Sequence, residues 1–449
     1  MLRVVCTVIT MSAVAVVSLG CAARAALDQD AIVDRLRART GAVVRLEATS
    51  PGIPSGVNID DGVTQDEAVA VALWNNAEFQ VQLANLGFAR ADVLEAGLLR
   101  NPVLSVLFPI GPKQLEATLR WPIEVLWQRP KRMAMATAYF DRTAASLEEA
   151  GLALVADVKM SFIEAALADD RARLAEQATT ELDQISKLTQ SRLTAGDISD
   201  LEARTAEIDA ARARQDLMRA RLDAVIRMND LRQRLGLATD RRRLALSIDL
   251  SSLPTCEASD TLMTEALASR PDVRAAELAV DAAGRRLGWE RSRVGTFTAA
   301  LDANSRGTEG FEMGPGLDLD TLLFDRNQAG KARARAEMQQ AGAAYLATRQ
   351  RVATQLNDAV AQVEQATSAI SGWRNSVVEP LEGQVKAAER AYAGGEASYL
   401  FVLEMSRRLT DARVRARESQ ADLARALARI ERAVGRRCGT AGREISRGF

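Results

Sequence analysis

Any reactive chemistry in this chain would rest on carboxylates, guanidinium groups and a few cysteines, because its 449 residues include no histidine. That absence removes Ser-His-Asp and Cys-His nucleophile arrangements, and it removes zinc sites built on imidazole. The sequence also holds no phosphate loop and no nucleophile elbow. Carboxylate pairs are abundant, yet they fall on helical patterns and read as solvated faces. The residues therefore point away from an enzyme and to no cofactor. The balance of 58 Lys and Arg against 59 Asp and Glu gives a net charge of -1, without the basic surplus of a nucleic-acid binder.

The cysteines speak to the compartment. Arg3 is followed by an apolar run from Val4 to Val17, about fourteen residues, where a bilayer span needs roughly twenty. A short basic start with a short apolar core reads as a secretory signal over residues 1–20, so the mature protein is exported. Ser18-Leu19-Gly20-Cys21 has the small residues that precede an acylated lipoprotein cysteine, with Ser18 where Leu is usual. Ala22 after that cysteine resembles lipoproteins sorted to the outer membrane. The rival is cleavage after Ala23-Arg24-Ala25, an A-x-A site that would leave no anchor. Cys6 departs with the signal in both readings. Cys256 and Cys438 lie in non-helical stretches of an exported chain, as a disulfide or as two free thiols.

The elements that must position these groups are very long helices. Only 11 Pro and 28 Gly occur and aromatics make up 4% of the chain, while Ala, Leu, Arg, Glu and Asp dominate. The chain is two copies of one plan. A helical pattern begins at Asn75-Asn76-Ala77-Glu78-Phe79 and again at Ser269-Arg270-Pro271-Asp272-Val273, an offset of 194. Gly196-x-x-Ser199-x-Leu201 returns as Gly395-x-x-Ser398-x-Leu400, an offset of 199. Each copy orders a short helix, a strand pair, a very long helix, a tight turn and a long returning helix. The first copy spans 64–250, with strands at about 102–122 and helices at about 129–193 and 201–236. The second spans 251–436, with strands at about 295–322 and helices at about 327–391 and 399–434. Residues 21–63 form an N-terminal segment and 437–449 a tail. The fold class is mainly α with a small β part.

The strand pairs alternate with period two. Leu115, Ala117, Leu119 and Trp121 interleave with Gln114, Glu116, Thr118 and Arg120. Phe297, Ala299, Leu301 and Ala303 interleave with Thr298, Ala300 and Asp302, and Phe311 to Leu319 with Glu312 to Asp320. Strands of about nine residues with one apolar face fit either a hairpin on a soluble core or a tilted transmembrane strand. Four strands cannot close a barrel, so the membrane reading requires oligomerisation. In the first long helix Pro130 is tolerated as a helix start. About 65 residues span about 100 Å at 1.5 Å each. In the second, Val352, Leu356, Val360, Val363, Ala366 and Ile370 recur at threes and fours as a coiled-coil seam, and Pro380 should kink it. Helices this long must pack side by side with copies of themselves or project into empty space.

Taken in order, these segments resemble the TolC-like outer membrane efflux protein family over residues 60–436. Thr64-Gln65-Asp66-Glu67-Ala68 through Asn75-Asn76-Ala77-Glu78 resembles its opening helix pair, and Gly97-Leu98-Leu99-Arg100-Asn101-Pro102 its passage into the first strand. Trp121-Pro122-Ile123 with Arg129 and Arg132 resembles the exit from the first hairpin. Gly314-Pro315-Gly316-Leu317 and Phe324-Asp325-Arg326-Asn327-Gln328 resemble the exit from the second. The Trp-Pro-Ile and Asp-Arg-Asn segments look most like the heavy-metal-efflux branch. The resemblance implies a homotrimer that closes a twelve-stranded transmembrane β-barrel, four strands per protomer, above a periplasmic α-barrel tunnel. It implies a passive exit duct of a tripartite efflux system, with an inner-membrane pump and a periplasmic adaptor (membrane fusion) protein as partners and outer membrane lipid around the barrel. Trp121 and Trp127 would suit the membrane interface.

The same resemblance assigns roles at the helical tips. Gly196, Ser199, Leu201, Gly395, Ser398 and Leu400 would form the adaptor-docking tips, with Ser199 and Ser398 capping the returning helices. Tyr392, Phe401, Glu404, Asp200 and Arg407 are candidates for the periplasmic gate, with Asp197 and Glu202 nearby. Ala397 and Phe401 depart from the best-known pattern, which has an arginine and an acid there. A different class of protein, a non-porous periplasmic coiled-coil scaffold, explains the signal and the helices but leaves the strand alternation idle.

Overall fold

The computed structural model describes residues 29–435 apart from 46–51, 60, 109, 111–114, 241, 243, 248–260, 294, 306–309, 321 and 322. The expected signal segment 1–20, Cys21, Cys256 and Cys438 lie outside the described residues. The elements run α1 (Gln29–Thr40), α2 (Gln65–Asn75), α3 (Ala77–Gly97), β1 (Val103–Leu107), β2 (Leu115–Pro122), α4 (Val125–Thr194), α5 (Asp200–Arg234), α6 (Thr261–Ser269), α7 (Pro271–Ser292), β3 (Phe297–Ser305), β4 (Phe311–Leu319), α8 (Gln328–Ser371), α9 (Glu379–Ala393) and α10 (Tyr399–Val434). Chain order thus repeats the same plan twice, a helix pair, a β-hairpin and a long helical hairpin.

Helix α4 has 70 residues, about 105 Å at 1.5 Å per residue. It begins at Val125, so Pro130 stands in its second turn and not at its start. The second long path is interrupted. A π-helical stretch, Gly372–Val378, separates α8 from α9, and Pro380 opens α9. The expected kink therefore takes the form of a wider turn just before the proline, whose missing N–H would leave an α-helical carbonyl unpaired. Within the seam, Val352, Leu356 and Ala366 are buried and Val360, Val363 and Ile370 are half-buried.

The largest core lies at the middle of α4, where α1, α2, α3 and the end of α5 gather around Leu36, Leu73, Phe79, Phe162, Leu231 and Leu235. Helix α1, which sequence periodicity did not single out, packs so closely that a Cβ on Gly151 would stand 2.6 Å from Leu36 Cδ2. Arg35 fixes it further by an ion pair of 2.6 Å to the buried Glu148.

At this level the two repeats close the same joint with different side chains. Gly236 and Gly435 end α5 and α10 with left-handed φ of 68° and 77°. In the first repeat, Asn76 caps α3 by accepting from Phe79 N at 2.9 Å and donates to Arg234 O at 3.0 Å. In the second, Arg270 takes that place. It donates to Ala433 O at 3.4 Å and to Gln355 at 3.1 Å, and it grips Asp272 through two hydrogen bonds of 2.7 and 2.9 Å. Arg234 and Ala433 are 199 residues apart, the offset of the tip glycines.

The four strands form one antiparallel sheet in the order β1-β2-β3-β4. The β2–β3 pairing joins the two repeats, and β1 and β4 are its open edges.

Candidate functional site: the two-faced sheet and the helical tips

Register sorts the sheet into an apolar and a polar face. Leu104 pairs with Leu119, Leu119 with Leu301 and Leu301 with Pro315. Two residues away Val106, Ala117, Ala303 and Met313 form the next row. Directly opposed residues share a face, so both rows lie on one side, together with Trp121, Phe297, Phe311 and Leu319. The other side carries the row Ser105, Thr118, Asp302 and Gly314 and the row Leu107, Glu116, Asn304 and Glu312. Arg120 pairs there with Asp318 at 3.7 Å. Nothing among the described residues covers the apolar face: Leu104, Leu119, Leu301, Met313 and Leu317 are all exposed. Among the described residues no helix is long and apolar enough to cross a membrane.

Two side-chain latches hold the sheet upright on the helices. At the first hairpin Arg129 donates to Gly97 O at 2.7 Å, and Arg132 donates to Ala96 O and Leu98 O at 3.0 and 2.6 Å. These carbonyls end α3 and have no intrahelical partner. At the second hairpin Asn327, the one non-glycine residue with positive φ among those described, donates to Glu290 O at 2.8 Å and to the Glu290 carboxylate at 2.6 Å. The Trp121 indole donates to Arg100 O at 3.0 Å, and Trp127 meets Phe297 edge to face with ring centroids 5.3 Å apart.

The tips match bond for bond. Gly196 and Gly395 both have φ of 80°. Asp197 N donates to Arg192 O at 2.9 Å and Gly196 N to Leu193 O at 3.0 Å; Glu396 N donates to Ala391 O at 2.8 Å and Gly395 N to Tyr392 O at 3.1 Å. This is the Schellman closure, whose left-handed residue favours glycine. The caps then differ. Ser199 and Glu202 form a reciprocal capping box on α5. Ser398 stands at the N-cap of α10 but makes no side-chain cap hydrogen bond, contrary to expectation. Its third residue on is Phe401, which cannot return a hydrogen bond as Glu202 does. Leu201, Leu400 and Phe401 are exposed at the tips.

The acidic gate candidates do not link helices within the protomer. Asp200 pairs with Arg204 at 2.6 Å and Glu404 with Arg408 at 2.7 Å, each along its own helix. Tyr392 is buried beneath Arg192, whose guanidinium carbon lies 4.8 Å from the ring centroid. Arg407 does cross between hairpins, to Asp209 on α5, a residue that sequence reading missed. Its signal was weak: Asp209 simply flanks Ala206 and Ala210 at helical spacing on the buried side of α5. Asp209 Oδ2 and the hydroxyls of Tyr392 and Tyr399 are buried there without hydrogen-bond partners in the described structure. Burial, reinforced by the Asp209 carboxylate, pushes the Tyr399 phenol up to about 12, so it stays neutral at working pH. No group of three or more acidic or cysteine side chains among the described residues is placed to hold a metal ion.

Comparison with known proteins agrees with this architecture. The profile of the family "Outer membrane efflux protein" matches residues 109–237 and 262–436. The cobalt-zinc-cadmium resistance protein CzcC of Cupriavidus metallidurans is 25% identical over 379 residues, 83% of this chain and 90% of that protein. Nodulation protein T of Rhizobium leguminosarum bv. viciae is 24% identical over 400 residues, 82% of this chain and 79% of that one. Among solved structures, CusC superposes with a TM-score of 0.71 at 19% identity, over 88% of this chain and 99% of its own.

Proposed function

Because the chain belongs to the outer membrane efflux protein family, we infer that it is the outer membrane channel of a tripartite efflux system, a passive duct from periplasm to exterior. The observation that carries this is the in-register division of the sheet into an apolar and a polar face, with both edges open. Open edges are not tolerated in lipid, and a homotrimer removes them by setting β1 of each copy against β4 of the next. Lipid then meets Leu301 and its row, and the lumen meets Asp302 and its row. A non-porous periplasmic scaffold gives that division no use. The partners of this reading are an adaptor at the tips and an inner-membrane pump, which supplies the energy.

The lumen side carries Glu116, Asp302, Glu312 and Asp318 against Arg120, so the duct should favour cations. Cationic cargo also agrees with the likeness to a cobalt-zinc-cadmium resistance protein. Cys21 lies eight residues before Gln29, where α1 begins. Eight extended residues reach at most about 29 Å, enough for a lipid anchor to tether α1 beneath the membrane. Cys256 and Cys438 lie five residues before Thr261 and three after Gly435, and α6 packs on the end of α10 through Leu262, Ala266, Ala433 and Val434, which favours the disulfide.

The test is planar-bilayer conductance of detergent-purified protein, with mass measured on the same sample. The expected result is a trimer that inserts and conducts, with a reversal potential on the cation side that weakens as salt screens the acids. The intact mass should include acyl chains on Cys21 and lack two thiol hydrogens. A monomer that never inserts would return the scaffold to first place.

At the gate we assign the link between hairpins to Arg407 with Asp209, and the apolar closure to Phe401 beside Glu404. A part-exposed ion pair such as Arg407 with Asp209 is worth about 0.2–1 kcal/mol. Three copies would contribute about 0.6–3 kcal/mol, a shift in a closed–open equilibrium of about threefold to a hundredfold. Arg407→Ala, and Phe401→Ala combined with Glu404→Ala, are each expected to raise single-channel conductance or open time. Unchanged currents would take these residues out of the gate.

A further inference from the structure

Charge is not spread evenly along this chain. Residues 97–102, 121–133, 288–296 and 320–335 carry the four passages between sheet and helices, and they hold ten Lys and Arg against four Asp and Glu. The whole chain is balanced at -1. At the far end of the sheet, residues 108–114 and 306–310 hold two cations and one acid. A basic collar therefore surrounds one end of the sheet and not the other.

The acids of this collar are engaged inside the protomer. Glu124 is buried and accepts from Phe297 N at 3.2 Å. Glu290 is buried and accepts from Asn327 and Arg293. Asp320 accepts from the Thr296 hydroxyl, and Asp325 from Asn327 N at 2.8 Å. The cations are placed differently. Arg129 and Arg132 bond to the neutral carbonyls that end α3, which leaves their charges uncompensated. Burial and then the neighbouring Arg100 lower the Arg132 pKa, with Glu95 opposing them. Arg100 and Lys131 are exposed, and among the described residues neither side chain has a hydrogen-bond or ion-pair partner.

These two cations stand at the foot of the apolar face. Trp121 belongs to that face, and its indole donates to Arg100 O at 3.0 Å. Trp127 meets Phe297 of the same face, and Lys131 lies one turn further along α4 on the side of Trp127. Leu98, Leu99, Leu126 and Trp127 form an exposed apolar belt between the sheet and the cations. The second hairpin repeats the order, with Leu323 and Phe324 exposed ahead of Arg326 and Lys331. Depth agrees as well. Lys131 is six residues from the start of α4, about 9 Å along the axis. A headgroup layer is about 5–8 Å deep, the margin between a hydrocarbon core of about 30 Å and a bilayer of about 40–45 Å. A lysine stem reaches back toward that layer.

We propose that this collar binds the phosphate groups of anionic phospholipids in the adjoining leaflet, with Arg100 and Lys131 as the cations that meet them. This rests on the channel reading and adds a headgroup preference. Guanidinium and ammonium groups both suit phosphate oxygens. A zwitterionic headgroup offsets much of that attraction with its own amine. Each Lys or Arg near an anionic surface contributes about fivefold in binding.

The test uses full-length protein purified in detergent and native mass spectrometry of its trimer. With phosphatidylglycerol and phosphatidylcholine at equal concentration, the trimer should retain phosphatidylglycerol about twentyfold more, and salt should weaken the preference. Arg100→Gln combined with Lys131→Gln should reduce it by about fivefold or more. Neither side chain bonds within the protomer, so this variant should melt like the wild type. Lys187→Gln, far along α4, should leave the preference unchanged. Inorganic phosphate at the same concentration should not displace the lipid; if it does, the collar is a site for free anions and the lipid assignment falls. A conducting trimer that retains both lipids equally, or a double variant that keeps the full preference, overturns the collar and leaves the channel reading standing. A protein that forms no trimer and never inserts overturns the channel reading itself.

Discussion

Leu301→Arg is expected to abolish insertion into the outer membrane, whereas Asp302→Arg, one residue along β3, should leave insertion intact and alter the current. The two positions are adjacent in the chain and opposite on the sheet. Leu301 lies in the row with Leu104, Leu119 and Pro315, and Asp302 in the row with Ser105, Thr118 and Gly314. An arginine facing lipid near the bilayer midplane costs about 2–4 kcal/mol. Three copies in one barrel would cost about 6–12 kcal/mol, comparable to the whole stability of a typical domain. An arginine facing water costs little, but it replaces a lumen carboxylate by a cation and should weaken the cation preference. Membrane fractionation reads the first effect and reversal potential the second. If Leu301→Arg inserts like the wild type, the apolar face does not meet lipid. If Asp302→Arg is the variant that fails, the two faces have been assigned the wrong way round.

The second large effect is on stability. Arg270→Ala should destabilise the folded protein by about 2–3 kcal/mol or more, because it leaves the half-buried Asp272 carboxylate without its cation and the Ala433 carbonyl without its donor. Arg270 is 2% exposed and holds Asp272, Gln355 and the Ala433 carbonyl together. Its first-repeat counterpart, Asn76→Ala, removes one neutral cap and should cost only about 0.5–2 kcal/mol. Arg270→Lys should recover little, since an ammonium cannot reproduce a two-bond grip on a carboxylate. Denaturant midpoints of the detergent-solubilised protein compare the three. Equal losses for Arg270→Ala and Asn76→Ala would mean that the buried charge contributes nothing of its own.

What the sequence disclosed was whatever depends on short-range period and turn chemistry. Alternation from Leu115 to Trp121 and from Phe297 to Ala303 announced the two faces, and Gly196 and Gly395 announced the reversals. The difference between the caps was also legible in principle, since Ser199 is followed by Glu202 and Ser398 by Phe401. Contacts between helices distant in sequence were not legible. Asp209 meets Arg407 across 198 residues, and nothing around either one specifies the other. Arg129 and Arg132 were noticed as part of a resemblance, but their task of receiving the end of α3 depends on where the intervening hairpin returns. Pro380 marked a disturbance without saying that it would become a wide turn. Helix α1 was missed because it is short and only its packing side, with Leu36 over Gly151, makes it part of the core.

The uncovered apolar face of the sheet bears on how the protein reaches its destination. A single copy in transit through an aqueous compartment displays Leu104, Leu301, Met313 and Leu317 to water beside two unpaired strand edges. Such a surface is a template for aggregation. Its hazard rises with concentration and with the time spent alone. The lone protomer is therefore a short-lived species that needs an escort or a fast rendezvous with its fellows. Cells that overproduce it faster than the membrane can accept it should accumulate insoluble protein from chains whose helices are correctly folded.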